Sequence, residues 1–274
     1  MRIGFIGGGN MAQALIGGIA ARHADAHFVV IEPHAPTREI VSRVVHGAAL
    51  HDVPSADLAE CDAVVVAVKP QNFREAVTVA ARWLERPLVV SIAAGIRTRE
   101  IAHWLAADHS PRAIVRAMPN TPALIGEGIT ALYAIPGVDA TRKALATQLL
   151  DAVGQTLWVD DETQLDAVTA VSGSGPAYVF SFIEALAQAG VELGLSAESA
   201  RRLAVATFVG ASRLAAASEE PLAVLRERVT SKGGTTHAAL TSMREAGCPE
   251  AIVRAVHAAA KRSSELGDEF GRER

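Results

Sequence analysis

Short runs of apolar, often β-branched residues punctuate the first half of the chain, with stretches of helical spacing between them. The runs at 2–6, 28–31, 63–68, 88–92, 113–117 and 129–134 offer apolar side chains to both faces, so each predicts a strand buried from both sides. Segments 10–22, 36–45, 73–84, 98–107 and 139–153 repeat their apolar positions at helical spacing. Strands and helices in alternation predict an α/β fold, a parallel sheet with helices on both faces.

After Trp158-Val159-Asp160 the texture changes. From Glu162 to Glu269 no run reads as a strand; Ala- and Leu-rich helical segments follow one another, broken by Gly175-Pro176, Gly194, Pro221, Gly233-Gly234 and Gly247. Ser196, with Glu198 just inside, predicts a helix start, and Pro221 suits a first helical position. Two domains are therefore expected, 1–161 and an all-helical 162–274. On the helix after Phe180 an apolar face gathers Phe180, Ile183, Leu186, Ala187 and Val191. The pattern leaves open whether such faces form an internal core or pack on a second copy of the chain.

A formal charge of −4, with no block of Lys and Arg, removes the electrostatic motive for nucleic acid or an anionic membrane. The apolar start has a faint signal-peptide look, but Gly7-Gly8-Gly9-Asn10 and Gln13 interrupt it, and no run is long enough to span a bilayer. Cys61 and Cys248, the only cysteines, have no ligand or disulfide spacing, so a reducing cytoplasm is expected and the thiols read as inert. His23 and His27 stand four apart, yet at the exit of the first helix; no metal site is expected.

The chemistry gathers at strand ends. Gly7-Gly8-Gly9-Asn10-Met11-Ala12, directly after Ile6, matches G-x-G-x-x-A between a strand and a helix. Gly7 suits the tight turn, Gly9 a close approach of pyrophosphate, and Ala12 close helix–strand packing; a dinucleotide is the expected ligand. Glu32, twenty positions beyond Ala12, ends the next strand, where an acidic residue holds ribose hydroxyls and repels a 2′-phosphate. His34, Thr37 and Arg38 stand close enough to form a phosphate pocket instead, or merely to cap the next helix. Ala67-Val68-Lys69-Pro70 ends a third strand, and the small Ala93, Ala94 and Gly95 follow a fourth, where a nicotinamide ring could lie on the backbone. Prolines 119 and 122 stiffen the loop around Asn120. In the helical half, 229–237 (VTSKGGTTH) puts amides and hydroxyls at one helix start, which reads either as a carboxylate receptor or as an ordinary capped helix. Asp160-Asp161-Glu162 reads as helix capping. Ser172-Gly173-Ser174-Gly175-Pro176 lacks the spacing of a nucleophile elbow, which excludes a serine hydrolase of that kind.

Together IGFIGGGNMA (3–12), AVKP (67–70), SIAAG (91–95), RAMPNTPA (116–123), AVSGSGPAYVF (170–180) and VTSKGGTT (229–236) resemble the pyrroline-5-carboxylate reductase family nearly end to end. The resemblance implies a Rossmann domain followed by an all-α dimerisation domain, with dimers often assembled into decamers and an active site between the domains. It implies hydride transfer from NADPH or NADH, NADPH by the family's habit, to C5 of 1-pyrroline-5-carboxylate, giving L-proline in the last step of proline biosynthesis. Carried over by position, Ser231 and the amides of Gly234, Thr235 and Thr236 would hold the substrate carboxylate. Thr236 would also bond the ring nitrogen as the catalytic group, and Asn120 would touch substrate. Lys232, where the family commonly has proline, and Glu32, where it often has a small or polar residue, depart from the pattern. Rival readings are a reductase of another cyclic imine or hydroxy acid, and a catalytically retired NAD(P) sensor. The first would show a catalytic lysine in 170–180, where there is none.

Overall fold

A computed structural model describes residues 1–105 and 112–272. One sheet carries β1 (Arg2–Ile6), β2 (His27–Ile31), β3 (Ala49–His51), β4 (Ala63–Val66), β5 (Leu88–Ser91), β6 (Ile114–Met118), β7 (Gly128–Ala134) and β8 (Gly154–Trp158). Their order across the sheet is β3-β2-β1-β4-β5-β6-β7-β8. Each neighbouring pair is parallel except β6 and β7. The exception has a simple cause. A proline-stiffened turn of 3₁₀-helix, Thr121–Ile125, joins β6 to β7 with no crossover helix, so the chain can only return antiparallel. The crossover through α5 (Ala140–Asp151) then makes β8 parallel to β7.

The helices α1 (Asn10–Arg22), α2 (Ala35–Val44), α3 (Pro70–Ala80) and α4 (Thr98–Leu105) cover the sheet together with α5. Alternate strand residues serve two cores. Phe5, Val30, Val65 and Val90 meet Leu15, Ile16 and Ile19 of α1 and Leu149 and Leu150 of α5 on one face. Ile6, Val29, Val64, Val66 and Val89 meet Phe73 and Val77 of α3 and Ile101 and Leu105 of α4 on the other.

Element limits depart from the sequence expectation where local chemistry overrides periodicity. The strand expected over 63–68 stops at Val66 and the helix expected from 73 begins at Pro70. Lys69 is extended, as a residue before proline must be, and Pro70 takes the first helical turn. Residues 106 and 107, the end of the helix expected over 98–107, lie outside the described residues. The strands β3 and β8 were not expected. The first is three half-buried residues, and the second alternates exposed and half-buried positions at the sheet's edge.

Two compact units result, residues 1–174 with the chain end from Ala259, and residues 175–258. The first continues past Asp161 because α6 (Gln164–Val168) lies against β7 with Leu165 fully buried. A π-helical turn, Thr169–Gly173, closes it. The second contains α7 (Gly175–Glu192), α8 (Ala197–Ala216), α9 (Leu222–Arg228), α10 (Thr235–Glu245) and the first part of α11 (Cys248–Arg272). Ser196 accepts the Ser199 amide at 3.2 Å as the cap of α8, as its sequence predicts, whereas Pro221 stands one position before α9.

The seam between α1 and the start of β8 gives a test. A Cβ at Gly18 would lie 2.5 Å from the Ala152 carbonyl oxygen, while one at Gly17 would meet nothing closer than Val44 Cγ1 at 3.5 Å. Helix propensity favours alanine at both positions by about 1 kcal/mol. Gly17→Ala should therefore raise the urea midpoint, and Gly18→Ala should lower it, corresponding to a loss of about 1–3 kcal/mol of stability, because backbone must move.

Candidate active site

The strand order reverses direction between β1 and β4, where an open α/β sheet leaves a crevice at its carboxyl edge. A cleft of about 590 Å³ lies there, lined by Ile6, Gly7, Gly9, Glu32, Asp52, Ala67, Val68 and Lys69 among others. The glycine turn is shaped by backbone. Gly7 sits at φ +98°, donates its N–H to the Ile31 carbonyl at 2.8 Å, and has no room for a Cβ, which would lie 2.9 Å from the Ala67 oxygen. Above Gly9 the space is open. The first turn of α1 has no side-chain cap, so the amides of Asn10, Met11 and Ala12 lie outside the intrahelical ladder, which starts with Gln13 donating to Gly9. A bare helix start under an open glycine fits a pyrophosphate, and the residues present therefore fit a dinucleotide. Ala12 is fully buried at the helix–strand contact.

Glu32 is spoken for. Its carboxylate accepts the Gly8 N–H and the His34 N–H, each at 2.9 Å, which ties the end of β2 to the glycine turn. Arg38 turns back to donate to the carbonyls of Glu32 (2.6 Å) and Pro33 (2.8 Å), and the His34 ring pairs with Thr37 at 2.9 Å. The basic groups near Glu32 are thus engaged within their own turn. Asp52, which sequence reasoning missed, adds a second carboxylate to the cleft wall. Lys69 is exposed at the rim and Pro70 starts α3; Ala93, Ala94 and Gly95 follow β5, away from the cleft's lining.

At the end of β6, Asn120 is nearly buried, and its side-chain oxygen accepts the Ile129 N–H at 2.9 Å. Its oxygen therefore holds the start of β7, which leaves the amide NH₂ as the group able to meet a ligand. Two of the sequence segments meet here: a Cβ at Gly173 would lie 2.6 Å from Met118 Cε, so a side chain there would have to displace the end of Met118. Sequence reasoning took Glu162 as capping. That description fits Asp161, which accepts both the N–H (2.8 Å) and hydroxyl (2.9 Å) of Thr163. Glu162 instead accepts from the Thr98 amide (2.7 Å), the Thr98 hydroxyl (2.6 Å) and the buried Arg116 guanidinium (3.1 Å). Burial pushes the Cys61 thiol up to about 11, with Asp62 and Asp57 adding to the shift against the nearby Arg2, so it stays protonated and unreactive at neutral pH.

In the 175–258 unit, α10 begins after Gly234, whose N–H donates to the Ser231 carbonyl at 3.0 Å. The helical ladder opens with Ala238 donating to Gly234, leaving the amides of Thr235, Thr236 and His237 outside it and no side chain capping them. Ser231, Lys232 and Thr235 are exposed and Thr236 is half-buried. The unit barely buries its own apolar surface: of its described residues only Ala200 and Ala204 are buried, while Phe180 is 61% and Leu193 86% exposed.

Comparison with known proteins bears on both halves. A family model described as pyrroline-5-carboxylate reductase dimerisation matches residues 162–266, and one described as NADP oxidoreductase coenzyme F420-dependent matches 2–95. A pyrroline-5-carboxylate reductase of Pseudomonas aeruginosa is 45% identical over 273 residues, covering 98% of each chain. Among solved structures, a pyrroline-5-carboxylate reductase from Coxiella burnetii superposes with TM-score 0.89 at 36% identity, over 96% of this chain and 97% of that one. The Plasmodium falciparum pyrroline carboxylate reductase, solved with NADP bound, gives 0.83 at 29% identity, over 97% and 99%. With this likeness running from end to end, the chain belongs to the pyrroline-5-carboxylate reductase family.

Proposed function

We propose that this protein reduces 1-pyrroline-5-carboxylate to L-proline with NAD(P)H, the last step of proline biosynthesis. The observation that carries the reading is a dinucleotide-sized cleft over a bare helix start in a chain 45% identical, end to end, to a pyrroline-5-carboxylate reductase. Relatives with that name favour it over a reductase of other imines or hydroxy acids and over a retired sensor.

Residues 1–161 hold the cofactor; 162–274 bind the substrate and join copies of the chain. Ile6 to Ala12 receive the pyrophosphate, Glu32 and His34 border the adenosine ribose, residues 67–70 line the rim, and Ala93, Ala94 and Gly95 support the nicotinamide. Bound NAD(P)H supplies the hydride that adds to C5 of the imine. Ser231 and the first amides of α10, from Gly234 to Thr236, hold the substrate carboxylate, where the helix dipole favours an anion. The Thr236 hydroxyl bonds the ring nitrogen and orients the carbon–nitrogen double bond, and the amide of Asn120 completes the substrate contacts. The proton that completes the amine comes with the imine, protonated by solvent before it binds. Orientation in a water-excluding pocket accounts for most of the acceleration. The exposed apolar faces of the 175–258 unit are covered by a second copy, and dimers assemble further into decamers. No described helix is long and apolar enough to cross a membrane, and we place the enzyme in the cytoplasm.

Purified protein should oxidise NADPH or NADH, followed at 340 nm, only when pyrroline-5-carboxylate is added. Turnover with neither cofactor would refute the reading. Removing the negative charge with Glu32→Ser should raise the NADPH-to-NADH ratio of kcat/KM about tenfold, equivalent to ~1.4 kcal/mol. Thr236→Ala should lower kcat/KM by about 10²-fold, and near-parental efficiency would end its catalytic assignment. Sedimentation velocity should find no stable single chain.

A further inference from the structure

The polar knot around Glu162 joins three separate segments: the start of α4, the strand β6 and the turn beyond β8. Thr98 closes the loop 92–97 that leaves β5 and starts α4; Arg116 stands on β6 directly beside Ser91 of β5; Glu162 arrives from beyond β8. Oε1 of Glu162 accepts both the Thr98 amide at 2.7 Å and the Arg116 Nη1 at 3.1 Å, and Oε2 accepts the Thr98 hydroxyl at 2.6 Å. The Arg116 side chain is only 3% exposed and that of Glu162 18%. Such a pair is held by geometry rather than loosely sampled, because either partner alone would be a desolvated charge. The carboxylate also meets a free amide in the first turn of α4, a site that favours negative charge. A second attachment is weaker: Arg97 pairs with the half-exposed Asp268 of α11 at 2.9 Å and donates to the Ser264 carbonyl at 3.3 Å.

We propose that Glu162 is a positioning residue for the reduction: by fixing Thr98 against Arg116 it sets the height of the loop 92–97 on which the nicotinamide rests. The inference depends on the reading of Ala93, Ala94 and Gly95 above. Glu162 touches neither cofactor nor substrate. Its effect falls on how the nicotinamide end is held, while the glycine turn and Glu32, at the other end of the cofactor, are untouched. Misplacing reacting groups by about 1 Å can cost 10²-fold in rate, so a few tenths of an ångström in this loop is enough to read.

The test compares Glu162→Gln, Thr98→Val and Asp268→Asn with the parent by steady-state kinetics, melting temperature and amide hydrogen exchange over 93–96. Glu162→Gln keeps the size but removes the counter-charge and one acceptor; Thr98→Val removes only the hydroxyl bond and leaves the ion pair to hold the fold. Glu162→Gln should lower kcat about tenfold or more with KM for NAD(P)H changed less than about threefold, and exchange over 93–96 should quicken. Thr98→Val should move both in the same direction by less, and Asp268→Asn should stay within about twofold, as a screened surface pair predicts. The proposal is overturned by a kcat within twofold of the parent in Glu162→Gln, by unchanged exchange over 93–96, or by equal losses in kcat and cofactor affinity. A parent inactive on pyrroline-5-carboxylate sinks the functional reading, and this role with it; an active parent whose Glu162→Gln variant behaves normally sinks the role alone.

Discussion

A sheet covered on both faces leaves its chemistry nowhere to go but the strand ends. The side chains of β1, β4 and β5 are almost all buried, alternately in one core and the other, and leave little room for polar groups, Ser91 at the very end of β5 being the buried exception. The candidate ligand groups of this half therefore sit in the turns at the carboxyl edge. These are the glycine turn after β1, Glu32 after β2, the Lys69-Pro70 step after β4, the small-residue loop after β5 and the Asn120 loop after β6. The fold's rigidity is transmitted to them through a few short bonds: Gly8 to Glu32, Ile129 to Asn120, and Thr98 and Arg116 to Glu162. Each bond spends a polar group that could otherwise face a ligand, so the same residues shape the site and limit what it can hold.

The helical unit obeys the opposite constraint. Its helices pair, α7 with α8 above all, and Phe182 stacks on Phe208 with ring centroids 6.4 Å apart. Yet Leu186, Leu203, Leu214 and Leu222 are each at least half exposed. An apolar surface of this kind is stable in water only when something covers it. A self-complementary face answers that need with no further gene product, since a two-fold contact uses each exposed leucine twice.

How legible this was in the sequence depended on whether a residue's role is local. The glycine turn, its strand and its helix follow one another without a break from Arg2 to Arg22, and spacing alone predicted them correctly. The strands of the central sheet were legible because they are buried on both sides. β3 and β8 were not, since Ala49–His51 is three half-buried residues and Gly154–Trp158 carries only the weak alternation of an edge. The antiparallel turn of β7 was missed for a related reason: patterning marks a strand but not its direction, which here follows from the short proline-bounded connection after Asn120. Glu162 was read as a cap because acidic residues before a helix usually are. Its real partners lie 64 and 46 positions away, a distance at which no local rule operates.

The segments that carry the family resemblance are therefore not all chemical in origin. Gly173 packs directly against the end of the Met118 side chain, and Arg116 gives Glu162 a buried counter-charge. Arg116 shares its segment with the candidate ligand group Asn120, and Gly173 packs against that same segment at Met118. A residue in such a segment can thus be held by packing a few ångströms from the candidate ligand groups rather than by the chemistry itself. Glu32 shows the converse. Its charge invites a reading in terms of ligand binding, yet the Gly8 and His34 amides give the carboxylate a full structural role, so the fold itself keeps that charge in place. Geometry decides which of these two cases a given position belongs to, and in this protein the deciding contacts are the long-range hydrogen bonds at the carboxyl edge of the sheet.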